Sequence, residues 1–320
     1  GTLIEQAIKL KEMSEDKQLE FCESMNLRPR TQRIGRALYA LGGRPAWTRV
    51  ERFDVKTCQW DEVSPMAQKR MRHGSATLGG LIYVVGGKDE LGQALSSMER
   101  YDPHKDVWQT MAPLKLARTG LGVGVAAGKL YAVGGRHDSG YRLKTVESYD
   151  VQTNTWSTCA LMTTARGAVR VGSVNGCLYA VGGRSDSGIA IGSVEMYEPM
   201  EDTWRSVASM LTARVGAGVD VLDGYLYAVG GKDERGNKLR SVERYDYRRN
   251  EWFSVADMKT KRWGAGVVSL DHKLYVIGGM NGAERGTLPS VEVYDPATDS
   301  WSELDSGPQL PRGSCTFCAA

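Results

Sequence analysis

Short apolar runs recur along this chain, and each is stopped by a pair of glycines. Leu226-Tyr227-Ala228-Val229, ahead of Gly230-Gly231, shows the pattern in full. A small-residue stretch, Gly216-Ala217-Gly218-Val219, precedes it, and a polar Asp223-Gly224 separates the two. A polar loop follows the glycines. Then come Val242-Glu243-Arg244-Tyr245, a turn to Trp252 and a last stretch from Val255 to Met258. Runs this short, rich in β-branched and aromatic residues and bounded by Gly and Asp, predict four strands joined by tight turns.

The unit repeats. Glycine pairs start at Gly42, Gly86, Gly134, Gly182, Gly230 and Gly278, in steps of 44, 48, 48, 48 and 48. Tryptophans stand at Trp60, Trp108, Trp156, Trp204, Trp252 and Trp301. Seven residues before each is an aromatic (Phe53, Tyr101, Tyr149, Tyr197, Tyr245, Tyr294). Two before that is a glutamate (Glu51, Glu99, Glu147, Glu195, Glu243, Glu292). Four strands per cycle over six cycles predict an all-β fold, a six-bladed β-propeller of four-stranded antiparallel blades. The repeated residues read as framework. Glycine admits positive φ and close backbone approach, while Tyr and Trp are broad and flat enough to pack between blades.

The pattern resembles the kelch repeat over residues 36–320. The glycine pair carries the likeness, with Tyr101-Asp102, Tyr149-Asp150, Tyr245-Asp246 and Tyr294-Asp295, and with the Trp seven residues after each Tyr. Phe53-Asp54 and Tyr197-Glu198 are mild departures.

The two ends complement each other. No Arg-x-Gly strand of the usual kind precedes Gly42. The last such strand, Arg312-Gly313-Ser314-Cys315-Thr316-Phe317, has no glycine pair after it. The C-terminal strand is therefore expected to complete blade one as its innermost strand and so remove the open edges. Cys315 and Cys318 form a C-x-x-C. No second Cys/His pair stands at ligand spacing and strand positions three apart face opposite sides, so no metal site is expected. Residues 3 to 25 carry apolar positions at roughly helical spacing, and Pro29 with the basic stretch Arg28–Arg36 follows. A helical segment and linker is expected over 1–34 and the propeller over 35–320. The helical segment is similar to the end of the BACK domain that precedes the propeller in kelch-like adaptors. The chain opens as if mid-helix, so a piece of something longer is expected.

Lys and Arg total 41 and Asp and Glu 38, a net charge of +3, which argues against bulk nucleic-acid binding. The sequence has no apolar run long enough for a membrane helix, and its start does not read as a signal peptide. The six cysteines hold no common place in the repeat and read as reduced thiols, so a cytoplasmic protein is expected. No cofactor is expected, and the propeller is expected to be monomeric.

Charge is patterned on one face. In antiparallel blades the loops after each glycine pair and those before each Arg-x-Gly share a face, and these are the long loops. The residue after each pair is Arg44, Lys88, Arg136, Arg184, Lys232 and then Met280. The Arg-x-Gly positions add Arg72, Arg118, Arg166, Arg214, Arg262 and Arg312. Some of these are expected to pair with the repeated glutamates, and Asp89, Asp138, Asp186 and Asp233 partly offset the others. Residues that break the repeat point to partner contact. Trp263 fills a slot that reads as His73, Thr119, Gly167, Val215 and Gly313 in other cycles, and Trp47 and Tyr141 lie in post-pair loops. Asp138-Ser139-Gly140 and Asp186-Ser187-Gly188 read as loop turns.

In kelch-like adaptors these two loop sets form the substrate pocket, and several members take short acidic peptides there. The resemblance thus implies substrate recognition for a cullin-RING ubiquitin ligase. A protein or acidic peptide would be captured, and the cullin met through domains not in this chain. An actin-binding or scaffolding role is the alternative. Some propellers of this repeat type are copper oxidases, but His73, His104, His137 and His272 fall on two faces and form no ligand set.

Overall fold

The computed structural model describes residues 37–43, 47–54, 57, 59–282 and 288–304, with the backbone of 316–319. These residues form six four-stranded sheets, each a simple antiparallel meander. The inner strands of blades two to six are Gly74–Leu78, Gly122–Ala126, Arg170–Val174, Gly218–Leu222 and Gly266–Leu270. In blade one that place is taken by Thr316–Ala319, antiparallel to Ala37–Gly43, with Leu38 opposite Ala319 and Leu41 opposite Thr316. The last strand thus closes the ring, as the mismatched ends of the sequence require. The helix expected within residues 3–25 lies outside the described residues, as does Cys315.

Inner strands begin two residues later than the small-residue runs imply. Gly216 has φ of +63°, which turns the chain, so the fifth inner strand starts at Gly218. The glycine pair also turns. Gly134 and Gly135 have φ of +59° and +102°, and a Cβ on Gly134 would lie 2.7 Å from the Arg166 carbonyl oxygen of the next blade. Only glycine satisfies both demands.

The core lies between blades, and the repeated aromatics build it. Tyr149 and Trp156 are cross-strand neighbours with ring centroids 5.1 Å apart, and Tyr149 meets Tyr83 of the preceding blade at 6.2 Å. The polar ends of the same rings stitch one blade to the last. Tyr149 Oη donates to Asn154 Oδ1 (2.7 Å), which also accepts the Ala112 N–H (3.0 Å), while Trp156 Nε1 donates to the Ala112 carbonyl (2.9 Å). Ser64, Ala160, Ala208 and Ala256 are held in this way by blades two, four, five and six. The acceptor is Asp106, Asn154, Asp202, Asn250 or Asp299, at φ of +46° to +55°. Asn and Asp tolerate this left-handed region better than other non-glycine residues.

Truncation after Leu310 removes the inner strand of blade one and exposes an edge of Ala37–Gly43. Its melting midpoint should fall by at least about 10 °C or the cooperative transition should vanish; calorimetry showing an unchanged transition would refute strand closure as a stability requirement.

Candidate partner-binding face

Four arginines expected on the rim are not there. Arg118, Arg166, Arg214 and Arg262 are at most 1% exposed. Each guanidinium is bound to the glutamate two residues before its own blade's repeated Tyr: Arg118 to Glu147 at 2.6 Å, Arg166 to Glu195 at 2.9 Å, Arg214 to Glu243 at 2.7 Å and Arg262 to Glu292 at 2.9 Å. Nη1 also donates to the carbonyl of the first glycine of the pair, as in Arg166 to Gly182 (3.0 Å). The glutamate accepts two backbone N–H groups of the incoming loop; Glu195 takes those of Thr163 (2.6 Å) and Thr164 (3.0 Å). Burial pushes the Glu195 carboxyl up, but these bonds and Arg166 outweigh it and hold the group below its ordinary value. A buried ion pair satisfied on every side is framework, and no partner can reach it.

Blade two departs from the expected register. The buried arginine there is Arg70, bound to Glu99 at 2.7 Å and to the Gly86 carbonyl at 2.7 Å. Arg72 lies two residues on, where blade three has Gly120. It takes that turn at φ of +53° and is exposed. His73 moves with it, to the place of Leu121, and is 1% exposed rather than on the rim. Its equivalent in the Trp263 slot is therefore Met71, which bridges Lys88 as Trp263 bridges Met280. Burial, then the nearby Arg70 and Arg170 charges, push the His73 imidazole down to about 3, against a hydrogen bond to the Leu41 backbone that favours protonation.

The two loop sets do meet on one face. The residue after each glycine pair is bridged to the loop before the inner strand: Lys88 to Met71, Arg136 to Thr119, Arg184 to Gly167, Lys232 to Val215 and Met280 to Trp263. On its other side each of the first four is bridged to the returning loop, at Ala94, Arg142, Ala190 and Lys238. Arg136 and Arg184 are exposed, and Lys88, Lys232 and Met280 half-buried. The neighbouring acids are turned to other work. Asp138 Oδ1 accepts the Ala94 N–H and Asp186 Oδ1 the Arg142 N–H, each across a blade boundary, while Asp233 caps Asn237. Among the described residues Arg136, Arg184 and Lys232 form no salt bridge. Burial first, then Lys238 and Arg184, lower the Lys232 ammonium, so the cations crowd one another.

Arg142 and Lys238 belong to this rim and were missed by inspection of the glycine pairs. They recur six residues after Arg136 and Lys232, a spacing that could have found them. Lys238 Nζ donates to the Asn281 carbonyl at 2.8 Å and to that of Gly282. Of the out-of-pattern aromatics, Tyr141 is 71% exposed. Trp263 is half-buried, with Lys232 Nζ 3.9 Å from its ring centroid. Trp47 is half-buried and its carbonyl accepts the Arg70 N–H at 3.2 Å. Arg44 and Arg312 lie outside the described residues.

Six closed four-stranded blades with the glycine pair, Tyr and Trp in fixed register define a kelch-type β-propeller. The sequence matches the family model described as the Attractin/LZTR1 beta-propeller over residues 38–289, and the chain belongs to that family. Among solved structures it is similar to one titled "Structure of YjhT", with a TM-score of 0.74 and 16% sequence identity over 84% of this chain and 94% of that one. At that identity the likeness is one of fold. Propellers of this kind are in general protein-interaction modules.

Arg166→Met leaves Glu195 buried without its cation and should cost about 3–5 kcal/mol. Chemical denaturation reads this directly; a loss under about 1 kcal/mol would contradict the framework role. His73 gives a pH test. Above pH 6.5 the ring is neutral in both folded and unfolded chains. As pH falls from there toward 3, the unfolded chain takes up a proton that the folded chain refuses, so stability declines. His73→Leu, with the residue of blade three, should flatten the melting-temperature profile between about pH 6.5 and 5, above the range where carboxylates titrate. Parallel profiles for the two proteins would rule this out.

Proposed function

We propose that this propeller captures an acidic segment of a partner protein on the rim built by the post-glycine and pre-strand loops. The observation that carries the reading is the set Arg136, Arg184 and Lys232, adjacent around the ring and without a salt bridge among the described residues. The acids beside them in sequence, Asp138, Asp186 and Asp233, accept backbone N–H groups and pair with none of the three among the described residues, so no ion pair has to break before a carboxylate binds. Exposed Tyr141 and half-buried Trp263 add flat apolar surface beside them, the composition of a binding hot spot. The buried arginines below take no part in contact. They fix the loops, so little conformational entropy is lost on binding.

The biological reading that follows is substrate recognition for a cullin-RING ubiquitin ligase in the cytoplasm, with the cullin contacted by other domains. The kelch pattern and the cationic rim support it.

Selection of a random peptide display library on the propeller should enrich Asp- and Glu-rich sequences. Affinity for an enriched peptide should fall at least about tenfold in Arg136→Glu/Arg184→Glu, since two charge-assisted bonds are lost and two repulsions gained. It should also weaken between about 50 and about 300 mM salt. Enrichment of neutral peptides, or capture indifferent to the double reversal, would sink the proposal.

A further inference from the structure

One charged residue stands where the repeat demands glycine. The first position of the inner strand is Gly74, Gly122, Gly218 and Gly266 in blades two, three, five and six. There the next blade's inner strand presses close; a Cβ on Gly122 would come within 2.6 Å of Val171 Cγ2. Blade four has Arg170 at that position. Its side chain runs across to blade five, where Nε donates to the Ala217 carbonyl at 3.0 Å.

Arg170 lines a small axial cavity of about 70 Å³ bounded by the inner strands of blades two to six. It is the one charged side chain among the described residues of the lining. The rest are Gly, Val, Leu, Ala and Ser. Its terminal nitrogens make no hydrogen bond to any described residue, and it has no salt bridge among them. The contrast with the other enclosed arginines is direct. Arg70, Arg118, Arg166, Arg214 and Arg262 each have a glutamate at 2.6–2.9 Å. Asp220, two residues along the blade-five strand from Gly218, does not serve Arg170. Its carboxylate accepts the Ser269 N–H at 2.5 Å, and burial pushes it toward the neutral form. Arg170 is half-buried, and a partly desolvated charge with no counter-charge among the described residues is costly, so proteins commonly offset it with one. A planar guanidinium fork whose terminal N–H groups meet no acceptor among the described residues, facing a cavity, matches an oxyanion. In this measure a water needs about 10–15 Å³, so the space admits a small oxyanion with at most a few waters.

We propose that the axial cavity is an anion site in which Arg170 holds a small oxyanion of the carboxylate or phosphate class through its two terminal nitrogens. The site is separate from the rim and does not rest on the partner-binding reading.

The test uses the propeller in a bulky sulfonate buffer at constant ionic strength, with acetate and inorganic phosphate as probes. Calorimetric titration should show saturable binding of at least one of them. Arg170→Gly, which installs the residue of four other blades, should bind about ten- to a hundredfold more weakly while keeping a cooperative melt. Arg170→Gln keeps a polar, uncharged side chain of intermediate length and covers the case in which the glycine variant does not fold; it should lose binding equally. No saturable binding of either probe, or unchanged affinity in the folded variant, overturns the assignment. Binding lost in Arg136→Glu/Arg184→Glu but kept in Arg170→Gly would move the anion to the rim and overturn it as well.

Discussion

Everything in this fold hangs on a buried arginine that belongs to two blades at once. The Arg166 carbonyl accepts the Gly135 N–H of blade three at 2.8 Å, while its side chain binds the Gly182 carbonyl, the Ser193 carbonyl and Glu195 of blade four. Glu195 in turn holds the N–H groups of Thr163 and Thr164 in the loop that joins the two blades. Charges this deep tolerate no partial satisfaction, because each lost bond would leave a polar group without water. The requirement fixes four elements together: the arginine, the glycine pair whose lack of Cβ lets the arginine carbonyl approach, the glutamate, and the length of the loop between them. A 48-residue period is the consequence. The rim loops stand on this scaffold, so their cations are displayed from a rigid base.

Most of the architecture is legible because the constraint repeats. Glycine pairs, Tyr, Trp and Glu recur in phase, and a residue that recurs in every blade does the same structural job in every blade. The closure of blade one could be read from what each end lacked, and the structure places Thr316–Ala319 beside Ala37–Gly43. Where inspection erred, it was because residue type is a poor guide to exposure. Arginine is rarely buried, so the Arg-x-Gly set read as a rim; pairing of some of it with the repeated glutamates was expected and is found, but the burial that goes with it is visible only in three dimensions. In blade two the glycine of Arg-x-Gly is replaced by Arg72, and the next glycine, Gly74, lies two residues late. The motif then slides, and it carries His73 to the surface on paper while the fold buries it.

The same logic separates framework from function. Five cations repeat because each is bonded into its blade's interior, and they are inaccessible. The cations after the glycine pairs repeat for no such reason: the clamp uses the carbonyl of the first glycine and the N–H of the second, not the side chain that follows, and blade six has Met280 in that slot. Their acids are spent on bridging adjacent loops, as Asp186 is on Arg142. Loop cohesion thus holds these carboxylates in place on the backbone, in no direct ion pair with Arg136, Arg184 or Lys232 among the described residues.

Departures from the repeat carry the most information, since each breaks a rule that the neighbouring blades obey. Trp263 covers Gly216 of the blade before it; a Cβ there would strike the indole, so the glycine of one blade makes room for the aromatic of the next. Arg170 breaks the pattern in the opposite sense, by placing a long side chain where glycines let the next blade press close. A sequence under purely structural constraint would hold glycine there, because glycine lets the neighbouring valine pack and avoids burying a charge. A guanidinium with no ion-pair partner among the described residues, in that position against both effects, is more economically explained by something it binds than by anything it supports.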